Sequence, residues 1–129
     1  MTDETPPAEG DVVSYSRTFT EADVRTFTEL SNDRGDHHLE PDDEGRLLVH
    51  GLLTATLPTK VGGEMDFLAR TMEFDFRRPV YTGEKITCRV TIDRLEERED
   101  RYVGASLVEC ENEAGETVMT GSFDGIIRK

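Results

Sequence analysis

One stretch of this chain is apolar enough to be buried on every side, and it is short. Leu47 to Val49 lead into Leu52, Leu53, Ala55, Leu57 and Val61, opened by His50-Gly51 and closed by Gly62-Gly63. The run predicts a buried helix near residues 51 to 62. Pro58 within it lacks a backbone donor, so that helix should kink or end early. Everything downstream is strand-like: Thr71 to Phe76, Lys85 to Leu95, Tyr102 to Glu111 and Thr117 to Arg128. Turn formers separate these runs at Arg78-Pro79 and Thr82-Gly83, at Glu97 to Asp100 and at Asn112 to Gly115, which predicts an antiparallel meander. Long strands in one sheet must cover something, and the apolar helix is the obvious candidate. The expected fold class is α+β, with a curved antiparallel sheet wrapped around a central helix.

At 129 residues the chain suits one domain. Residues 1–11 carry Pro6, Pro7, Gly10 and four acids without periodicity, and are expected to form a flexible lead, leaving 12–129 as the domain. Val13 to Phe19 alternate as a half-buried strand does. Thr20 then stands as an N-cap with Asp23 three residues on, and the helix that follows carries an apolar stripe of Val24, Phe27 and Leu30. No internal repeat is present.

Charge narrows the partners. The chain has 28 Asp and Glu against 15 Lys and Arg, a formal net charge of -13. Such a surface repels a phosphate backbone, and no basic cluster interleaved with aromatics offsets it, so nucleic acid is excluded as a partner. Only Lys60, Lys85 and Lys129 are lysines. A lysine-poor acidic surface suits a cytoplasm of high salt, where screening relieves self-repulsion, and a halophilic source is expected. No stretch approaches the length of a membrane span and the first residues lack the basic and apolar parts of a signal peptide, so the expected location is cytoplasmic, with no membrane partner. Cys88 and Cys110 lack the CxxC spacing of a zinc or redox site and read as buried free thiols.

Between the two predicted helices the pattern dissolves into Ser31 to Arg46, a loop dense in turn formers and acids that holds His37 and His38. Function concentrates in such loops. Asp33 and His38 can hold a water between them, because a carboxylate accepts hydrogen bonds and fixes an imidazole tautomer while histidine titrates near neutrality. A solvated acidic loop would look the same from spacing alone. His50-Gly51 adds a second element, since a helix N-terminus offers unpaired N–H groups and glycine lets a carbonyl approach the backbone. A thioester oxygen fits there, and charge developing on it would be stabilised by the Gly51 N–H. The plain alternative is close packing at Gly51 and a capping role for His50.

Four segments in order carry a resemblance. They are Tyr15-Ser16-Arg17-Thr18-Phe19-Thr20-Glu21-Ala22-Asp23-Val24; Ser31-Asn32-Asp33 with His38; His50-Gly51-Leu52-Leu53-Thr54; and Phe76-Arg77-Arg78-Pro79-Val80-Tyr81-Thr82-Gly83-Glu84. Across residues 13 to 128 the chain resembles the MaoC-like, R-specific enoyl-CoA hydratases. That resemblance implies a single hot-dog domain, a homodimer or higher homo-oligomer, and an acyl-CoA thioester substrate in a groove near the subunit interface. It implies reversible hydration of a trans-2-enoyl-CoA to an R-3-hydroxyacyl-CoA with no metal and no other cofactor. Asp33 and His38 match the catalytic pair, Gly51 the position whose N–H meets the thioester carbonyl, and Thr59 a hydroxyl residue that helps orient the catalytic loop. Thioester hydrolysis, or acyl-CoA binding without catalysis, are the alternatives the same fold admits.

Two departures stand out. The family's Asn-Pro is replaced by Gly35-Asp36, which brings His37 in as a competitor for the role of His38. The segment between His38 and His50 is also shorter, which opens or reshapes the acyl pocket. Arg77 and Arg78 follow a strand and are weak candidates for the CoA phosphates, with pairing to Asp75 or Glu84 as the plain alternative.

Overall fold

The computed structural model describes residues 5–129. The elements run β1 (Val12–Thr18), α1 (Glu21–Ser31), α2 (Asp36–Leu39), α3 (Gly51–Thr54), α4 (Thr56–Glu64), β2 (Phe67–Phe76), β3 (Lys85–Glu97), β4 (Arg101–Glu111) and β5 (Thr117–Arg128). Five strands make one antiparallel sheet in the order β1-β3-β4-β5-β2. The expected meander holds only for β3, β4 and β5. β2 crosses to the far side and pairs with β5, because Arg77 to Glu84 is no tight hairpin: Arg77 N–H and Arg78 N–H both donate to Val118 O on β5, at 2.8 and 3.3 Å.

Alternation along the strands sets the core. On β3, Ile86, Cys88, Val90 and Ile92 are buried, and the first three join Leu57 and Val61 of α4 in one cluster with Phe19, Val24, Leu47, Val49, Met119 and Phe123. The cysteines sit directly opposite each other on β3 and β4 as buried free thiols. The neighbouring Cys88 sulfur and burial hold the Cys110 thiol well above its usual range.

The central helix is broken, at a place Pro58 alone did not specify. Its two parts meet at Ala55, and Pro58 is the third residue of α4. There its missing N–H costs nothing, since first-turn donors have no partner in their own helix. Pro58 therefore marks the restart of the helix.

α1 begins as its sequence foretold: Thr20 Oγ1 accepts from Asp23 N–H at 3.1 Å and Asp23 Oδ2 accepts from Thr20 N–H at 2.9 Å. The stripe differs. Leu30 is 81 % exposed while Thr28 is buried, because each three-residue step falls about 60° short of a full turn and two such steps carry Leu30 off the packed face. Ahead of β1, Gly10 N–H donates to Ile92 O at 2.8 Å and Leu95 N–H to Glu9 Oε1 at 3.0 Å, so hydrogen bonding to β3 begins before Val12. Residues 1–4 of the expected lead lie outside the described residues. No helix among the described residues is long and apolar enough to cross a membrane.

Candidate active site

Two backbone devices bring the loop and the broken helix together. α1 ends on Asn32 in the left-handed region (φ 59°), which turns the chain sharply. Asp33 N–H then donates to Ser31 Oγ at 3.1 Å and Gly35 N–H reaches Asp33 Oδ1 at 3.4 Å. Gly35 opens the single turn of α2, which carries His37 and His38. The apolar segment Leu47 to Val49 runs beside Val80 to Thr82, with Val49 N–H to Val80 O at 2.8 Å and Thr82 N–H to Leu47 O at 3.0 Å. That pairing fixes Leu48, whose N–H donates to His37 O at 3.0 Å while its carbonyl lies 2.6 Å from His38 Nδ1.

The last contact decides a tautomer. A carbonyl only accepts, so His38 Nδ1 carries the hydrogen and Nε2 of the neutral ring presents a lone pair. That Nε2 lies 3.8 Å from Asp33 Oδ2. His38 is 5 % exposed, while the Asp33 side chain is 56 % exposed and open to solvent. The gap is long for a direct hydrogen bond, and a single water at ordinary distance reaches both atoms. Between two acceptors such a water donates both hydrogens and keeps its oxygen lone pairs free.

Behind His38 lies His50, 2 % exposed, with its ring stacked on that of His38 at 3.7 Å and 15°. Burial pushes its basicity below the ordinary histidine value. His37 completes a column, edge-on to His38 at 4.1 Å between ring centroids, but it is exposed and packs over Gly35, where a Cβ would come within 2.8 Å of its Cε1. Asp33 faces His38, so His37 is not the partner of the carboxylate. Asp36 occupies the first turn of α2 and is not among the cleft-lining residues.

Asp33, His38 and His50 each offer a ligand atom within 4.8 Å of the others. The geometry does not suit a metal, however: imidazole lone pairs lie in the ring plane, and planes stacked in parallel do not aim them at one point about 2 Å away.

A cleft of about 660 Å³ opens in front of the pair, lined by Phe27, Leu52, Phe76 and Val80 as well as Asp33, His38 and Gly51. No protein-family profile matches the chain. It is 28 % identical over 123 residues to the (R)-specific enoyl-CoA hydratase of Aeromonas caviae, covering 87 % of this chain and 89 % of that protein. It is 26 % identical over 119 residues to the mitochondrial 3-hydroxyacyl-[acyl-carrier-protein] dehydratase of Arabidopsis thaliana, covering 85 % and 70 %. The unliganded R-hydratase of Pseudomonas aeruginosa superposes with a TM-score of 0.81 at 20 % identity, over 95 % of this chain and 82 % of that one. In sequence the chain is similar to an R-specific enoyl-CoA hydratase and to 3-hydroxyacyl dehydratases, and in fold to R-hydratases and a MaoC-like dehydratase. Its sheet wrapped on a broken central helix is their hot-dog fold.

In this hot-dog frame Gly51 is the first residue of α3, and its N–H has no acceptor among the described residues. The Phe76 ring leans over it from the end of β2, where a Cβ on Gly51 would stand 2.9 Å from Phe76 Cε1. Arg77 and Arg78 line the same cleft. Neither takes the partner expected of it: Arg77 Nε donates to Thr120 Oγ1 at 3.2 Å and Arg78 pairs with Glu116 at 3.3 Å, while Glu84 accepts from Tyr81 N–H.

Thr59 is not brought to the site. Its hydroxyl donates to Ala55 O at 2.9 Å, one turn back along α4, and it does not line the cleft. A different hydroxyl reaches the stacked histidines. Thr28 of α1, buried, lies 3.3 Å from His50 Nε2 through its Oγ1. The signal for Thr28 was its place one turn after Val24, on the face that packs inward.

Proposed function

We propose that this chain catalyses the reversible hydration of a trans-2-enoyl-CoA to an R-3-hydroxyacyl-CoA, with Asp33 and His38 as the acid–base pair and no metal or redox cofactor. The observation that carries the reading is the pair of acceptors, Asp33 Oδ2 and His38 Nε2, 3.8 Å apart at the head of an apolar-walled cleft. A water donating to both adds its oxygen to the β-carbon. Its O–H bond breaks toward one member of the pair, and the pair returns a proton to the α-carbon on the same face, so one water is consumed and no proton is left over. The two groups act as a coupled unit. The thioester carbonyl accepts from Gly51 N–H, which stabilises the enolate-like charge as it forms.

Incubation with crotonyl-CoA and loss of the enoyl absorbance test the reading. Release of free CoA instead would mean a thioesterase, and tight binding without turnover a binding module. Arg77 and Arg78 are the cations available to the CoA phosphates. Arg77→Ala and Arg78→Ala are expected to raise KM for crotonyl-CoA and to flatten its dependence on salt. Unchanged KM at every salt concentration would assign them to Thr120 and Glu116 alone.

The active form in this proposal is a homodimer. β2 is an edge strand bearing exposed Leu68, Met72 and Phe76, and exposed apolar edges invite a second strand. Phe76 lines the cleft, so a partner docked there would help to enclose the acyl chain. The setting is cytoplasmic, in keeping with two free thiols, and salt-rich. Thermal unfolding in dilute buffer and in molar KCl checks the last point: Tm should rise with KCl as screening relieves the acidic surface, and a Tm that stays flat or falls would reject a halophilic origin.

A further inference from the structure

His50 is a buried member of the cleft lining that touches both members of the acid–base pair. Its Nε2 lies 3.2 Å from the carbonyl oxygen of Asp33 and 3.3 Å from Thr28 Oγ1. The Thr28 hydroxyl already spends its hydrogen on Val24 O at 2.8 Å. Two acceptors therefore surround His50 Nε2, and that nitrogen must be the N–H. Its other nitrogen, Nδ1, is buried with no partner among the described residues. The ring is thus a neutral imidazole of defined tautomer. One face of it lies flat against His38 at 3.7 Å, and Phe27 packs at 4.8 Å.

The geometry points to His50 as a positioning residue, whose neutral ring and single Nε2–H together set the gap between Asp33 and His38. This rests on the hydration reading above. The N–H tethers the Asp33 backbone to the base of the loop, and the stacked ring prevents His38 from tilting away from Leu48. Without the tether, Asp33 is held by the Ser31 hydroxyl and a 3.4 Å contact to Gly35, on a side chain open to solvent. Small displacements of a positioned group cost on the order of 100-fold in rate.

Protonation should defeat the arrangement. The titratable groups around the ring are Asp33 on the loop and His37 and His38 on α2, with none contributed by Thr28 or Phe27 of α1. Burial is the first cause that lowers the His50 value, ahead of the hydrogen bond to Asp33 O, which raises it, and the charge of His38, which lowers it. A base whose folded value is depressed takes up a proton more readily when unfolded. Its contribution to stability is therefore complete above the unfolded value of 6.5 and is lost as pH falls below it.

The test compares the wild type with His50→Phe, which keeps a ring and loses the donor, and with His50→Gln, whose side-chain amide can place an N–H near the same spot. In the wild type, histidine 15N shifts should show His50 as the neutral Nε2–H tautomer at about pH 6; an Nδ1–H tautomer or an imidazolium there overturns the proposal. His50→Phe should lose on the order of 100-fold in kcat for crotonyl-CoA with KM little changed, should move the His38 ring resonances, and should show a shallower fall of Tm below pH 6.5 than the wild type. His50→Gln should recover much of the kcat. Equal rates in all three proteins, or an equal loss in both variants, would reduce His50 to a packing residue. Should the wild type fail to hydrate any enoyl-CoA, the reaction assigned above falls, and the His50 tautomer together with the His38 ring resonances still judges the role of His50.

Discussion

Replacing His38 by alanine will lower kcat for crotonyl-CoA hydration by about 1,000-fold while the protein remains folded, and Asp33→Asn will do the same within an order of magnitude. The size follows from what is removed. His38 Nδ1–H is committed to Leu48 O, so Nε2 is the one lone pair the ring can offer to a water. With alanine there, a water retains Asp33 as its only acceptor and loses the group that hands a proton onward. Asparagine at position 33 keeps the shape and replaces one accepting oxygen by a donor, so the water is met by a hydrogen where it needs a lone pair. Folding is spared for different reasons in each case. Asp33 is a solvent-open side chain, and the core that holds the chain together lies under α4 and the sheet. Removal of two groups that act as one unit is far from additive, so the double variant should be little slower than the slower single one. A His38→Ala enzyme with more than about a tenth of the wild-type rate would mean that His37 or a solvent water does the work, and the mechanism would have to be rebuilt around it.

Most of the strands were legible because alternation is a strictly local property. β3, β4 and β5 fall within two residues of their sequence-derived bounds, and Thr20 with Asp23 marked the start of α1 by chemistry that needs no tertiary context. The position of β2 was not legible. Its pairing with β5 depends on the Arg77 and Arg78 N–H groups finding Val118 O, a contact between residues far apart in sequence. The site divides along the same line. Motif order named Asp33, His38 and Gly51, which line one cleft, whereas the tautomer of His38 depends on Leu48 O and the anchoring of His50 depends on Thr28. Thr59 shows the cost of carrying a role by position alone. Its hydroxyl is satisfied within α4, and the hydroxyl that reaches the stacked histidines is Thr28 of α1.

The second large effect lies away from the chemistry, in the seam where β2 joins the sheet. Gly125→Ala is expected to destabilise the protein by about 3 kcal/mol, measured by urea unfolding. Gly125 of β5 lies opposite Ala69 of β2 and opposite Gly104 of β4. A Cβ there would stand 2.0 Å from Leu68 O and 2.9 Å from Ala69 Cα. Those are backbone atoms, which cannot swing aside as a side chain would. The cause is a register shift in β2 between Ala69 and Thr71, which coils the strand tightly over β5 at this point. Relief requires β2 to lift from β5, and β2 carries Phe67 and Phe74 against the core and Phe76 over Gly51. The variant should therefore lose hydratase activity along with stability, at temperatures where the wild type is still folded. Gly63→Ala is the matched control. It sits in α4 with nothing within 4 Å of its Cβ position, and alanine in a helix should stabilise by roughly 0.5–1 kcal/mol relative to glycine. If Gly125→Ala unfolds within roughly 0.5 kcal/mol of the wild type, the close approach of β2 to β5 is not what holds this edge of the sheet, and the packing assigned to Phe76 over the thioester position loses its support.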